Sequence, residues 1–464
     1  MRAFLKECLK GEDGFVELRY HKKLANSVTA EKGRVENSQV KKRAGIGVRV
    51  LHKGTWGFSY TGEISISSIK QAISQAKRSA ELSSFLRQEK IQSLPPVKFA
   101  IGDFPGEGIQ ELLDKNLDDK ISLVMNVADI HKFPSSRIQS LACSYAEIFE
   151  EKSIVSTDGA DCYFSYIRPE FRINAVAEKD GDLQVGAESI GVTGGWDCLF
   201  KHNSAEELKE KACKTAVDLL SSSLPNGGKH TVILAPSIVG LLVHEAIGHT
   251  VEADFVLAGS VARGKLGTRV ASELITLCDS GHSEFYKGAG GSIPVDDEGV
   301  LAGRTCLIEK GILKSYLHNR ESAAHFGVEP TGSARAWEYS DVPLIRMRNT
   351  YIEPGESSLE DMIASTDSGF LLEGPRNGQA DSTGEFMFAV QKAHRIEKGK
   401  IKEMVKGVSV SGMAFDVMKD VDMVSKEFQW DLGSGYCGKG QPAKVDAGGP
   451  YLRTKVKLGG QKNE

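Results

Sequence analysis

The run Leu241-Leu242-Val243-His244-Glu245-Ala246-Ile247-Gly248-His249 constrains this chain more than any other segment. Its apolar residues predict a buried helix, yet that helix carries two imidazoles and a carboxylate. Burying ionisable groups costs on the order of several kcal/mol unless they are paired or coordinate a metal. Two His beside a Glu are the side chains that a catalytic zinc site uses. The spacing adds a second demand. In the familiar H-E-x-x-H helix the imidazoles lie at i and i+4, whereas His244 and His249 lie at i and i+5. On a regular α-helix that separation points them about 140° apart, away from any common ion. A π-type turn, with its i→i+5 hydrogen bond, returns them to one face. The helix is therefore expected to bulge or end early between Ala246 and His249, and Gly248 lowers the cost of the distortion.

The surroundings of this run set its place in the fold. Thr231–Ala235 reads as a short strand, and Pro236 stands where the first helical turn tolerates a missing N–H. Just upstream, Ser221-Ser222-Ser223 and Pro225-Asn226-Gly227-Gly228 have linker chemistry. Glycine usage changes at the same point, with 17 of the 49 glycines in residues 1–225 and 32 in residues 226–464. The expectation is an α+β protein of two units, 1–225 and 226–464, the first divisible near Pro95-Pro96. In the first unit, Gly45–His52 and Thr55–Tyr60 alternate as a hairpin around Lys53-Gly54. A helix follows over 65–82, where Ile66, Ile69, Ala72, Ile73, Ala76 and Ala80 form one apolar stripe. A second hairpin is expected around 138–180 and a helix over Ala205–Leu220. In the second unit, short strands at Thr305–Glu309, Ile312–His318, Leu344–Tyr351, Phe386–Lys398 and Lys406–Gly412 suggest a β-rich, barrel- or sandwich-like domain bearing the metal helix.

Composition removes several classes of function. Lys and Arg number 58 against 62 Asp and Glu, so the net charge of −4 indicates neither a polybasic nucleic-acid binder nor an acidic tail protein. The eight cysteines form no CxxC pair and no disulfide spacing. No apolar stretch is long enough to cross a bilayer, and the N-terminus lacks a signal-like apolar region. A cytoplasmic protein, bound to neither membrane nor nucleic acid, is expected.

Two His leave a catalytic zinc one protein ligand short. Glu252, His282, His318, His394 and Cys437 are candidates, and spacing alone does not choose among them. Cys437 lies in Gly433-Ser434-Gly435-Tyr436-Cys437-Gly438, an unusual setting for a core cysteine. Arg335, Tyr339, His282 and His394 are candidate oxyanion donors, each more simply read as structural. Gly259–Lys265 has phosphate-loop spacing, but Leu266 offers no hydroxyl for Mg²⁺, and a lid over 257–269 is the better reading. Asp381 is read as capping a turn.

The blocks HEAIGHTVEADFVLAGS from His244, ASEL at 271–274, DDEGV at 296–300, IEKGILKSYL at 308–317, RMRNTYIEPG at 346–355 and CGKGQP at 437–442 resemble the TldD/PmbA family of metallopeptidases. Gly45–Val50 and Thr55–Ser59 resemble that family's N-terminal domain, so the likeness extends across most of the chain. TldD-like members keep the His-Glu helix and a C-G-K cysteine as third zinc ligand, whereas PmbA-like (TldE) members lack them. The resemblance thus implies His244, His249 and Cys437 as Zn²⁺ ligands, with Glu245 as the general base beside the metal water. One departure stands out: the family's C-G-K-x-G-Q is shortened here to Lys439-Gly440, which bears on the shape of that loop. Hydrolysis of unfolded peptides is implied, by a homodimer or a heterodimer with a PmbA/TldE-like subunit. The rival is a non-catalytic regulatory or chaperone-like subunit, against which the intact ligand set argues.

Overall fold

The computed structural model describes residues 1–130, 133, 135–431 and 433–460, so the last four residues of the expected second unit lie outside it. The protein is mixed α and β, built on two large sheets. The first contains β1 (Phe15–Glu31), β2 (Arg34–His52), β3 (Thr55–Thr61), β4 (Ile101–Pro105), β5 (Ile138–Ser156), β6 (Asp161–Lys179) and β7 (Asp182–Gly191). Its order is β3-β2-β1-β5-β6-β4, with β7 also on β6, so segments from both sides of Pro95-Pro96 share one sheet. Lys53 and Gly54 both take positive φ, 51° and 73°, the two-residue turn that matches strand twist, and His52 pairs with Thr55. The apolar stripe on the helix Ile66–Ser84 buries Ile69, Ala72, Ile73, Ala76 and Ala80 against Val48 and Val50. β5 and β6 form the second expected hairpin, and the helix Ala205–Leu219 starts on a Ser204–Glu207 capping box.

The second sheet holds a closed barrel. Gly228–Leu234, Asp446–Gly459, Ser409–Met413, Glu385–Glu397 and Ser368–Ala380 pair in that order, and the last returns to the first. Asn349–Ile352 joins it in parallel on Asp446–Gly459 and carries Leu277–Ser280 and Arg304–Glu309 outward. Three expected strands change extent. Ile312–His318 is strand only over Ile312–Leu313, because the chain then turns to bond along the segment that follows His249, Leu317 N–H donating to Val251 C=O and Ala253 N–H to Leu317 C=O. Leu344–Tyr351 splits into Leu344–Ile345 and Asn349–Ile352, since Arg346 and Arg348 between them turn inward and are fully buried. The stretch Lys406–Gly412 starts just past one strand, Lys400–Val405, turns at Gly407, φ 68°, and holds most of the next, Ser409–Met413.

Buried charge links the first sheet to the turn at Asp297-Glu298 in the second half of the chain. Lys152 on β5 donates to both oxygens of Asp297 at 2.8 and 2.9 Å, and Arg49 on β2 pairs with Glu17 and Glu298. Among the described residues no helix is long and apolar enough to cross a membrane.

Candidate metal centre

The helix beginning at Pro236 is regular through Leu242, opens into a π turn over Val243–Gly248, and tightens to a 3₁₀ turn over His249–Val251. His249 N–H donates to His244 C=O, the i→i+5 bond that the spacing demanded. Gly248 sits at φ −55° and ψ −51°, ordinary right-handed backbone. What the position requires is the absence of a side chain, because a Cβ there would lie 1.9 Å from Met347 Sδ. Val243, Ala246 and Ile247 belong to the same hydrophobic core as Val232, Leu372 and Phe388, which anchors this turn in the barrel domain.

The ligand atoms of His244, His249 and Cys437 lie within 4.8 Å of one another. Cys437 Sγ is 3.1 Å from His249 Nε2, and the two imidazole rings are 5.3 Å apart, nearly perpendicular. His244 and Cys437 are buried, and His244 Nδ1 has no hydrogen-bond partner. Burial alone would raise the Cys437 thiol, but His244 and His249 outweigh it and hold the thiol at about 4. For His249 burial works downward, and the Cys437 and Glu252 hydrogen bonds carry it up to about 10. Two imidazoles and a thiolate, two of the three buried and all converging, form a donor set suited to a borderline-soft divalent ion, and the arrangement suggests a metal.

Glu252 is not in this triplet. Its fully buried carboxylate accepts from His249 Nδ1 at 3.1 Å, which turns Nε2 toward Cys437. Lys439 Nζ donates to the same Glu252 oxygen at 3.0 Å, to Asp254, and to Ile345 C=O, and lies 4.3 Å over the Phe255 ring. Burial would raise the Glu252 carboxyl, but His249 and Lys439 hold it below the usual range. Sequence reasoning missed Lys439. Its position two residues after Cys437 was visible, but its reach across 187 positions to Glu252 was not.

Glu245 is half-buried on the wall of a cleft of about 330 Å³, with His249, Thr250, Ser260, Gln379 and Gly438. Asp381 also borders it, and as expected closes a turn, accepting from Thr383 N–H, Thr383 Oγ1 and Glu385 N–H. The segment 257–269 is tied down at Val261 to Ser382, at Ala262 to Tyr316 and at Gly267 to Leu313. The other candidates lie outside the cleft: His318 bonds Ser322, His394 faces Glu373, and His282 N–H bonds Ser280. Arg335 donates to Met347 C=O, and Tyr339 packs on Tyr60 of the first sheet.

A barrel that presents a largely buried His–His–Cys set beside a carboxylate-walled cleft has the parts of a metal-dependent hydrolase. Residues 227–460 match the PmbA/TldA metallopeptidase C-terminal domain, residues 16–80 its domain 1, and residues 110–220 its central domain. The chain is 35% identical over 444 residues to a metalloprotease of Methanocaldococcus jannaschii, covering 95% of this chain and 96% of that one. It is 30% identical over 462 residues to the zinc metalloprotease TldD homolog of Saccharolobus solfataricus, covering 99% and 100%. The crystal structure of TldE from Thermococcus kodakarensis shares the fold, with a TM-score of 0.80 at 20% identity over 99% of this chain and 100% of that one. The protein is a metallopeptidase. It belongs to the PmbA/TldD family.

Proposed function

We propose that His244, His249 and Cys437 hold a zinc ion and that Glu245 is the general base of a peptidase acting on unfolded peptides. The observation that carries this reading is the convergence of three ligand atoms within 4.8 Å, with Glu245 on the adjoining cleft wall. Zinc bound by these donors would supply Lewis acidity, polarising a carbonyl and drawing the pKa of a water toward about 7. The remaining roles belong to the chain. The Glu245 carboxylate accepts the proton of the attacking water and returns it to the leaving amine. Glu252 fixes the His249 ring so that Nε2 faces the metal position, the outer-shell arrangement common to metal-binding imidazoles. The π turn supports this reading by bringing the ligand atoms of His244 and His249 within 4.8 Å of each other and of Cys437.

Units of 1–225 and 226–464, a cytoplasmic location, and assembly as a homodimer or with a PmbA/TldE-like subunit complete the proposal. Elemental analysis of wild type, His249→Ala and Cys437→Ala tests the ligands, with near-stoichiometric zinc expected only in the first. Glu245→Gln should retain zinc and lose hydrolysis of an unstructured peptide. Zinc retained in Cys437→Ala, or full activity in Glu245→Gln, would refute the corresponding assignment. Light scattering on the purified chain, alone and mixed with a TldE-like subunit, decides the assembly.

A further inference from the structure

Cys437 stands on a hairpin, Tyr436–Gly438 paired with Pro442–Lys444, that belongs to neither large sheet. An isolated two-stranded hairpin is marginal in water, so something else must hold this one to the tolerance that a ligand needs. Arg346 supplies one support, donating to Cys437 C=O at 2.5 Å and to Gln441 C=O at 2.7 Å. The other comes from the first sheet. Tyr436 and Lys444 are the cross-strand pair next to Cys437 and Ala443, and both converge on a single carboxylate, Glu170 of β6. Tyr436 Oη donates to Glu170 Oε1, and Lys444 Nζ forms an ion pair with the same oxygen at 3.1 Å. Glu170 is 4% exposed and Lys444 1%, so the contact is out of reach of solvent screening. Arg172, bonded to Glu170 at 3.0 Å, donates onward to Ser434 C=O. Gly433 meets Gly191 of β7 so closely that a Cβ built on Gly433 would lie 1.8 Å from Gly191 C=O.

We propose that Glu170 is a positioning residue for the metal site: from the N-terminal sheet it holds the Tyr436/Lys444 pair and so sets where the Cys437 sulfur stands. The inference rests on the reading of Cys437 as a ligand. It makes the first half of the chain part of the metal centre without contributing a donor atom.

The test follows the sulfur itself. The metal-free protein is loaded with cobalt(II), thiolate-to-cobalt charge-transfer absorption is recorded at saturation, and zinc affinity is measured by competition. Wild type should show the band and Cys437→Ala should not. Glu170→Ala should weaken zinc about 10- to 100-fold, the effect typical of lost outer-shell support, and diminish or shift the band at full metal occupancy. Glu170→Gln, which still offers an acceptor oxygen, should recover much of both. Tyr436→Phe, which removes one oxygen and spares the fold, should move both readouts in the same direction by less, and it decides the matter if Glu170→Ala does not fold. A band and zinc affinity unchanged in Glu170→Ala, or in Tyr436→Phe where that variant decides, with the band lost in Cys437→Ala, would overturn the inference alone. A band that survives in Cys437→Ala would overturn the ligand reading and this inference with it.

Discussion

Replacing Glu252 separates the orientation of His249 from ligation itself. The carboxylate receives two hydrogen bonds on one oxygen, from His249 Nδ1 at 3.1 Å and Lys439 Nζ at 3.0 Å, and is fully buried. A hydrogen bond involving a charged group is worth about 1.5–3 kcal/mol. Only the His249 bond acts directly on a proposed ligand, so Glu252→Ala should cost that much in zinc binding. At about 1.4 kcal/mol per decade this is a loss of roughly 10- to 150-fold in affinity. Lys439 keeps Asp254 as a partner, which limits the additional cost to folding. Glu252→Gln retains an acceptor but loses the charge, and its amide would occupy the place of Oε1, which has no hydrogen-bond partner. It should fall between wild type and alanine. Competition with a chromophoric chelator measures the affinities, and thermal denaturation at saturating zinc separates them from stability. Wild-type zinc affinity in Glu252→Ala would refute the argument that this carboxylate orients His249.

Gly248→Ala should destabilise the protein by about 1–3 kcal/mol, the usual range for overpacking, and lower its zinc content; Met347→Ala in the same chain should restore part of each, as read by denaturation and metal analysis. Lys152→Met should cost about 3–5 kcal/mol in urea denaturation, because it leaves the Asp297 carboxylate buried with, among the described residues, Arg19 at 3.5 Å as its remaining ion-pair partner. Adding Asp297→Asn should recover part of that loss. His21 gives a pH dependence of known sign. Burial first, then Lys152, depress its imidazole from 6.5 to about 3 against the opposing Glu150 hydrogen bond. The unfolded chain therefore takes up a proton below about 6.5 that the folded chain refuses, and the His21 contribution to stability falls by up to about 1.4 kcal/mol per pH unit between those values. His21→Gln should show a shallower decline from pH 6.5 to 5 in denaturant titrations, and an unchanged slope would remove His21 as its source.

The features readable along the chain were those decided within a few residues. The i, i+5 histidine spacing implied the π turn because a helix has a fixed angular period, and Lys53-Gly54 implied its hairpin because few residues accept two positive φ values in succession. Barrel closure was beyond such reasoning, since Gly228–Leu234 pairs with Asp446–Gly459 more than two hundred positions later, and alternation names a strand without naming its neighbour. Arg346 and Arg348 show the same limit: Leu344–Tyr351 reads as one strand, but the two arginines are fully buried, received by carbonyls and Asp279, and the strand breaks between Ile345 and Asn349.

The metal centre combines both situations. His244 and His249 share one local distortion, so their relation was deducible from spacing. Cys437 could be nominated from its residue type and its glycine-rich loop, but the groups that hold it are distant in sequence: Arg346 lies 91 positions away and Glu170, through Tyr436, 266. A ligand on a rigid helix needs little besides the helix, whereas a ligand on a two-stranded hairpin needs walls. On the proposed reading the histidines are arranged by the barrel, and the Cys437 sulfur is set only where both sheets are folded and docked. Damage at the Glu170 contact should accordingly appear first as a change in sulfur coordination, while damage in the barrel core should remove the histidine pair and the metal together.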